Sequence, residues 1–211
     1  GVRLVGSEMC IRDRCVDHGL QDGSRTQAER AAEQARNLGA RAQVLSVEAS
    51  AAVGAESMEA AARAARYRAL AAACADEGLE VAVAHTADDQ AETLLLGALR
   101  GRVTGMSERS EVEGARVVRP LLNVRRADTE GACAELDLSA WQDPQNADTN
   151  FRRVALRREV IPQLSRIIGG DAVPALAQAA GDAALDDAAL RTPPTTCLLY
   201  TSPSPRDGLL S

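Results

Sequence analysis

Along residues 15–99, short apolar runs rich in branched side chains alternate with longer alanine-rich stretches of helical character. Cys15–His18 predicts the end of a strand, followed by a Gly/Asp/Ser turn. Ser24 with Gln27 has the form of a capping box that opens a helix, and Gly39 is placed to close it. Val44–Val47 predicts a second strand, and Ser57 a cap for a second helix running to Gly78 with Glu59 in its first turn. Leu79–Ala84 follows as a third strand, and Thr86 with Asp89 caps a third helix that ends near Leu99. Three strand–helix repeats in this order predict an α/β fold with an open, mostly parallel sheet flanked by helices. Beyond it, residues 102–118 read as a loop leading into a short strand, Ala115–Val118, and Arg126–Leu136 as a helix. Residues 141–150 form a polar loop with Asp143-Pro144. A basic helix from Phe151 to Ile168, kinked at Pro162, and an Ala-rich helix over 171–190 complete the helical segment. The chain has no internal repeat.

Composition changes the picture at the ends. All 41 alanines lie between Ala28 and Ala189, and all 24 basic residues are arginine. Residues 1–14 and 192–211 contain no alanine, and the tail holds four of the eight prolines. The stretches SEMCIRDR and CLLYTSPSPRD resemble translated sequencing-library adapters, so both ends are read as non-native additions rather than natural disordered termini. No apolar run approaches the roughly 18–20 residues of a membrane span. The five cysteines form no CxxC pair, which argues against a structural zinc site and a disulfide-stapled scaffold. With a net charge of −6, any nucleic-acid contact must come from a local basic surface.

Ligands of open parallel sheets bind beyond the carboxyl ends of the strands. Two segments fall there, Asp17-His18-Gly19-Leu20 and His85–Thr93, and they carry the chain's only two histidines. Asp88, Asp89 and Glu92 have a plain structural reading as acids favoured by the helix dipole. The functional alternative is that they hold Mg²⁺ or orient an amine; a phosphate site beside them would need a bridging cation. Arg63, Arg66 and Tyr67 share one helix face, which is either solvated, with a Glu59–Arg63 pair, or aimed into the cleft. Arg152, Arg153, Arg157, Arg158 and Arg166 outnumber the acids between 146 and 168 by three, beside Phe151 and Trp141. They form a solvated face or an RNA-backbone surface. Arg153 and Arg157 share a face and Arg152 diverges from it, so some arginines must turn inward, Asp143 and Asp148 being acids within reach along the chain.

VDHGLQDGS (16–24), ESMEAAARAARYRAL (56–70), VAVAHTADDQAETLLLGALRG (81–101), VRPLL (118–122) and WQDPQNADTNFRRVALRREVIPQL (141–164) together resemble bacterial tRNA(Ile)-lysidine synthetase, of the N-type ATP pyrophosphatase (PP-loop) superfamily. The resemblance covers nearly all of 15–190. It implies a partial PP-loop domain at 15–150 and a basic helix with helical linker at 151–191. It also implies a cytoplasmic tRNA-modifying ligase that uses ATP and Mg²⁺ to adenylate the wobble cytidine of tRNA(Ile) and joins free lysine to it. A homodimer is one assembly it allows. On this resemblance Asp88 and Asp89 stand near ATP, Mg²⁺ and the amine, with Asp89 taking a proton and Glu92 positioning. Asp17, His18, Arg63, Arg66, Tyr67 and His85 fall at the ATP cleft. Arg100 and Arg125 face the cytidine and its phosphates, while Arg152, Arg153 and Arg157 hold the anticodon arm.

The family's SGGxDS phosphate loop, expected upstream of Cys15, is not present in the sequence. The chain is therefore read as a piece lacking the first strand, itself inactive and weak in ATP binding. Gly19, Gly23, Gly101 and Gly105 read as turn glycines, and Arg102-Val103-Thr104 replaces the family's small-residue turn. The rival readings are a tRNA thiolation enzyme of the same superfamily, which would lean on paired cysteines, and a non-catalytic nucleotide-binding module, which would have no use for poised acids.

Overall fold

The computed structural model describes residues 12–17, 23–47, 55–75, 78–141 and 144–191. Strand β1 (Arg12–Asp17) is followed by helix α1 (Ser24–Asn37) and strand β2 (Arg41–Ser46), and the strands pair in parallel with Cys15 opposite Val44. β1 thus begins three residues upstream of the boundary at Cys15. Ser24 does not cap α1 as the sequence predicts. Gly23, at φ +83°, takes the N-cap position, and the Ser24 hydroxyl donates to Asp17 Oδ1 at 2.6 Å. The bond ties the helix start to the strand end. Gly39 closes α1 as expected, at φ +91°, where a side chain would be strained.

Helix α2 (Ala55–Ala75) starts before Ser57, which lies inside the helix rather than at its cap. The second sheet has the order β3 (Val81–Ala82), β5 (Ala115–Val118), β4 (Arg109–Val112). β3 runs parallel to β5, and β4 runs antiparallel to it. The expected parallel sheet is therefore realised as two small sheets, one of them ending in an antiparallel hairpin within the stretch read as loop. Tyr67 and Leu70 of α2 pack with Val81, Ala115 and Val117, while Val16 and Leu45 lie against the same cluster. One apolar core thus joins both sheets beneath α2.

Helix α3 (Ala87–Ala98) keeps Ala87 and Ala91 under α6 and α7. α4 (Arg126–Glu135) and a 3₁₀ turn (Pro144–Ala147) precede α5 (Arg152–Ala155), a π-helical turn (Leu156–Val160), α6 (Ile161–Ile168) and α7 (Val173–Arg191). Pro162 does not act by a simple kink. The turn before it widens so that Ile161 N–H reaches Leu156 O, and Pro162 enters the first turn of α6, where its missing N–H costs least. Among the described residues no helix is long and apolar enough to cross a membrane.

Gly105 is no simple turn glycine. A Cβ on it would stand 1.8 Å from the carbonyl oxygen of Ala180, on α7. Gln90, almost fully buried, fixes the loop there, donating from Nε2 to Met106 O and accepting from Met106 N–H, both at 2.8 Å. Because the obstacle is backbone, Gly105→Ala is expected to cost about 3 kcal/mol or more, the upper end for overpacking. That corresponds to a melting temperature lower by about 6–12 °C in a chain of this size, measurable by calorimetry.

Candidate active site

Thr86 and Asp89 open α3 as the sequence predicts. Asp89 Oδ2 accepts from both the Thr86 N–H and the Thr86 hydroxyl at 2.8 Å. This box turns Asp88 and the other oxygen of Asp89 toward the start of α4, where two consecutive arginines stand. Arg125 grips Asp88 with Nε and Nη2, each at 3.2 Å, and Nη1 bonds to Asp171. The Arg126 N–H donates to Asp88 Oδ2 at 2.7 Å, so Asp88 supplies the helix-capping acceptor for α4 from outside that helix. Arg126 Nη2 reaches Asp89 Oδ1 at 2.9 Å and Glu92 Oε1 at 3.4 Å.

Glu92, one turn further along α3, is 1% exposed. A buried carboxylate needs matched donors, and α5 with the π turn provides them. Arg157 donates from Nε to Oε1 at 2.7 Å and from Nη2 to Oε2 at 3.3 Å, and Arg153 Nη1 lies 3.5 Å from Oε2. The acids Asp88, Asp89, Glu92 and Asp171 thus face the arginines Arg125, Arg126, Arg153 and Arg157, four against four.

Electrostatics follow from this arrangement. Burial raises the Asp88 pKa, but hydrogen bonds and charge from Arg125 and Arg126 outweigh it, and the carboxyl sits below its usual range. The hydrogen bond to Asp88 is the main reason Arg125 holds its proton more tightly than a free arginine. For Arg157, burial works against the charge and is outweighed by Glu92.

His85 is half-buried, and its Nδ1 has no hydrogen-bond partner among the described residues. Burial lowers its pKa below 6.5; Asp89 opposes the shift, while Arg119, Arg63 and Arg153 reinforce it. The folded state therefore binds fewer protons than the unfolded chain once pH drops below about 6.5. Stability from His85 is complete above that pH and is lost as pH falls toward the folded-state value. The melting temperature is expected to drop between pH 7.5 and 5.5, and His85→Gln to flatten that drop; equal slopes in both proteins would remove His85 as its source.

The remaining expected site residues divide. Tyr67 is a core residue, 3% exposed, with the Arg63 guanidinium stacked 5.1 Å from its ring centre, so it faces the sheets rather than a cleft. Arg63, Arg66 and Arg100 are exposed. Arg152 is exposed and diverges from the Arg153–Arg157 pair, as the helix geometry requires. Arg157 turns inward and Arg153, though exposed, reaches the same acid, which is Glu92. Asp148 instead accepts from Asn150, and Asp143 lies outside the described residues. Asp17 is buried, whereas His18 lies outside the described residues. Two members of the cluster, Arg126 and Asp171, are missing from the sequence reading. A signal for Arg126 existed: arginines opening a helix oppose its dipole unless acids face them.

The expected Mg²⁺ does not fit this arrangement. Asp88 and Asp89 spend their oxygens on arginine, threonine and backbone donors, and no group of three metal-ligating side chains occurs among the described residues. The same donors show what the cluster can do, which is to hold a cation-bearing side chain between two α3 carboxylates.

Cys15 is raised to about 11, by burial first and then by Asp13, and so stays a thiol at neutral pH. Cys15, Cys74 and Cys133 are free.

Known proteins resemble the chain over most of its length. The chain is 53% identical over 172 residues to the tRNA(Ile)-lysidine synthase of Corynebacterium glutamicum, covering 82% of this chain and 52% of that protein. It is 50% identical over 173 residues to the tRNA(Ile)-lysidine synthase of Mycobacterium tuberculosis strain H37Rv, covering 78% and 50%. The chain thus spans about half the length of these curated relatives. Among solved structures, the U34-tRNA thiolase NcsA of Methanococcus maripaludis, determined with its 4Fe–4S cluster, superposes with a TM-score of 0.61 at 12% identity. It covers 79% of this chain and 61% of that one, a likeness of fold alone. The sequence pattern of the PP-loop domain matches residues 5–164, and the chain belongs to the PP-loop domain family.

Proposed function

We propose that this chain is the PP-loop part of a tRNA(Ile)-lysidine synthase, which consumes ATP and joins lysine to a cytidine of tRNA(Ile). The observation that carries the reading is the Asp88–Asp89–Glu92 face of α3, built around guanidinium groups, within a sequence about half identical to proteins of that name. In the proposed reaction the carbonyl oxygen at carbon-2 of the cytosine ring attacks the α-phosphorus of ATP and pyrophosphate leaves; the lysine amine then attacks carbon-2 and AMP leaves. Lysine is protonated at neutral pH, so the amine must lose a proton before or during attack. Asp89 Oδ1 is the oxygen suited to accept it, because Oδ2 is already committed to Thr86. Arg126 shows that a cation is held at Asp89 Oδ1 and Glu92 Oε1; an incoming ammonium would take over those contacts. Glu92, held by three arginines, is a positioning residue. Asp88 fixes α4 against α3 through Arg125.

In this reading the basic residues Arg100 and Arg152 are exposed candidates for tRNA phosphates; Arg153 is exposed too but reaches Glu92, and Arg157 serves the interior. The thiolation alternative is disfavoured by Cys15, which is held as a thiol, and by the absence of any cysteine pairing among the described residues. The deciding experiment places residues 15–164 into the Corynebacterium glutamicum relative in exchange for its matching segment. Radiolabelled lysine should enter tRNA(Ile) in an ATP-dependent reaction; a folded chimaera that transfers no lysine, or that transfers sulfur, overturns the reading.

A further inference from the structure

Among the described residues outside the acid cluster, one buried cation has no counter-charge. Arg119, just after β5, is 5% exposed. Its Nη1 donates to Ser107 O at 2.8 Å and to Ser110 Oγ at 2.9 Å, and its buried Nε has no acceptor. No carboxylate among the described residues pairs with it, whereas Arg125, Arg126, Arg153 and Arg157 all have one. Burial lowers its pKa, Tyr67 opposes the shift and the nearby Arg63 adds to it, yet a guanidinium remains charged at neutral pH. A buried charge with no partner is costly unless something supplies the opposite sign.

Arg119 lines a cavity of about 310 Å³ between the loop at 105–110 and the last turns of α7. Ser107, through the carbonyl that accepts from Arg119, and Ser110, through its hydroxyl, line one wall, and Asp187 and Arg191 stand on the other, paired at 2.9 Å and exposed. We propose that this cavity is an oxyanion site for a phosphate group. Arg119 supplies the fixed charge, and Arg191 can swing from Asp187 to a second oxygen. Two guanidiniums with the Ser110 hydroxyl suit a tetrahedral anion with more oxygens than a carboxylate presents. The phosphate can be free inorganic phosphate or a phosphodiester of an RNA backbone. The site shares no residue with the acid cluster, so it stands independently of the proposed reaction.

The test titrates inorganic phosphate into the full chain at pH 7.5, with ionic strength held constant by chloride. Heat of binding and melting temperature should both rise to saturation, as for any ligand that binds only the folded state. Arg119→Gln should weaken binding about tenfold or more, as expected for losing a charge-assisted bond. Asp187→Asn should tighten it severalfold by freeing Arg191, an effect a merely structural Arg119 would not produce. A short RNA lacking terminal phosphates identifies the source: competition with phosphate assigns a phosphodiester, and undisturbed phosphate binding assigns the free anion. A phosphate response equal to that of chloride overturns the proposal. So does phosphate affinity unchanged in Asp187→Asn, which decides the matter even where Arg119→Gln fails to fold.

Discussion

Replacing Asp89 by asparagine is expected to lower lysine transfer by about 10²- to 10⁴-fold, the usual loss when general-base help is removed. The substitution is close to isosteric. Its side-chain oxygen can still accept the Thr86 N–H that fixes the start of α3, so the helix keeps its cap. What disappears is the charge at Oδ1, where Arg126 now sits and where, in the proposed reaction, the lysine amine gives up its proton. Melting should move by no more than about 1 kcal/mol equivalent, the scale of one cap. Initial rates of labelled lysine incorporation, measured on the chimaera with its melting curve alongside, separate the two effects. Turnover retained within a factor of about two would return Asp89 to the role of a helix-opening acid, because general-base assistance is worth far more than that.

Glu92→Gln is expected to be the most destabilising single change in the site. The carboxylate is 1% exposed and meets three guanidiniums, from α4, α5 and the π turn. Neutralising it leaves Arg153 and Arg157 without an anionic partner, while Arg126 keeps Asp89. Breaking a buried pair by removing one partner typically costs about 3–5 kcal/mol. The three arginines keep partial access to water, at 24%, 44% and 31% side-chain exposure, so the lower end applies. Urea unfolding of the variant should therefore show a loss of about 3 kcal/mol. Arg153→Ala should cost far less, since Arg153 touches Glu92 only at 3.5 Å and is the most exposed of the three. A Glu92→Gln loss below that of Arg153→Ala would mean the cluster does not bind α5 to α3.

Much of this was legible in the residues because short-range rules governed it. Thr86 with Asp89 marks a helix start, Gly39 a helix end and Ala115–Val118 a strand, and each needs only its own neighbours. Strand β4 was not legible. Its turn is Glu113-Gly114, with φ +50° and +80°, a two-residue hairpin in which glutamate occupies a position usually held by asparagine or aspartate. Arg109–Val112 also carries too few apolar side chains to show alternation. Tyr67 misled for another reason. Spacing places it on one face with Arg63, but only packing decides that the ring goes inward and the guanidinium lies over it. The partners of Arg153 and Arg157 were illegible because Glu92 lies more than sixty residues away, and their angular phase depends on a π turn that no local rule foretells.

That turn has a consequence for how the arginines of 152–166 can be used. A π turn adds a residue to the backbone cycle, which rotates everything after it by about 100° relative to an uninterrupted helix. Arg153 and Arg157, four residues apart, share a face and meet an interior acid, while Arg166, exposed on α6 and nine residues beyond Arg157, is left by that rotation about 80° away rather than about 180°. What looks in one dimension like a single basic stripe is two functionally separate half-stripes, one serving as mortar between helices and the other open to whatever approaches from outside.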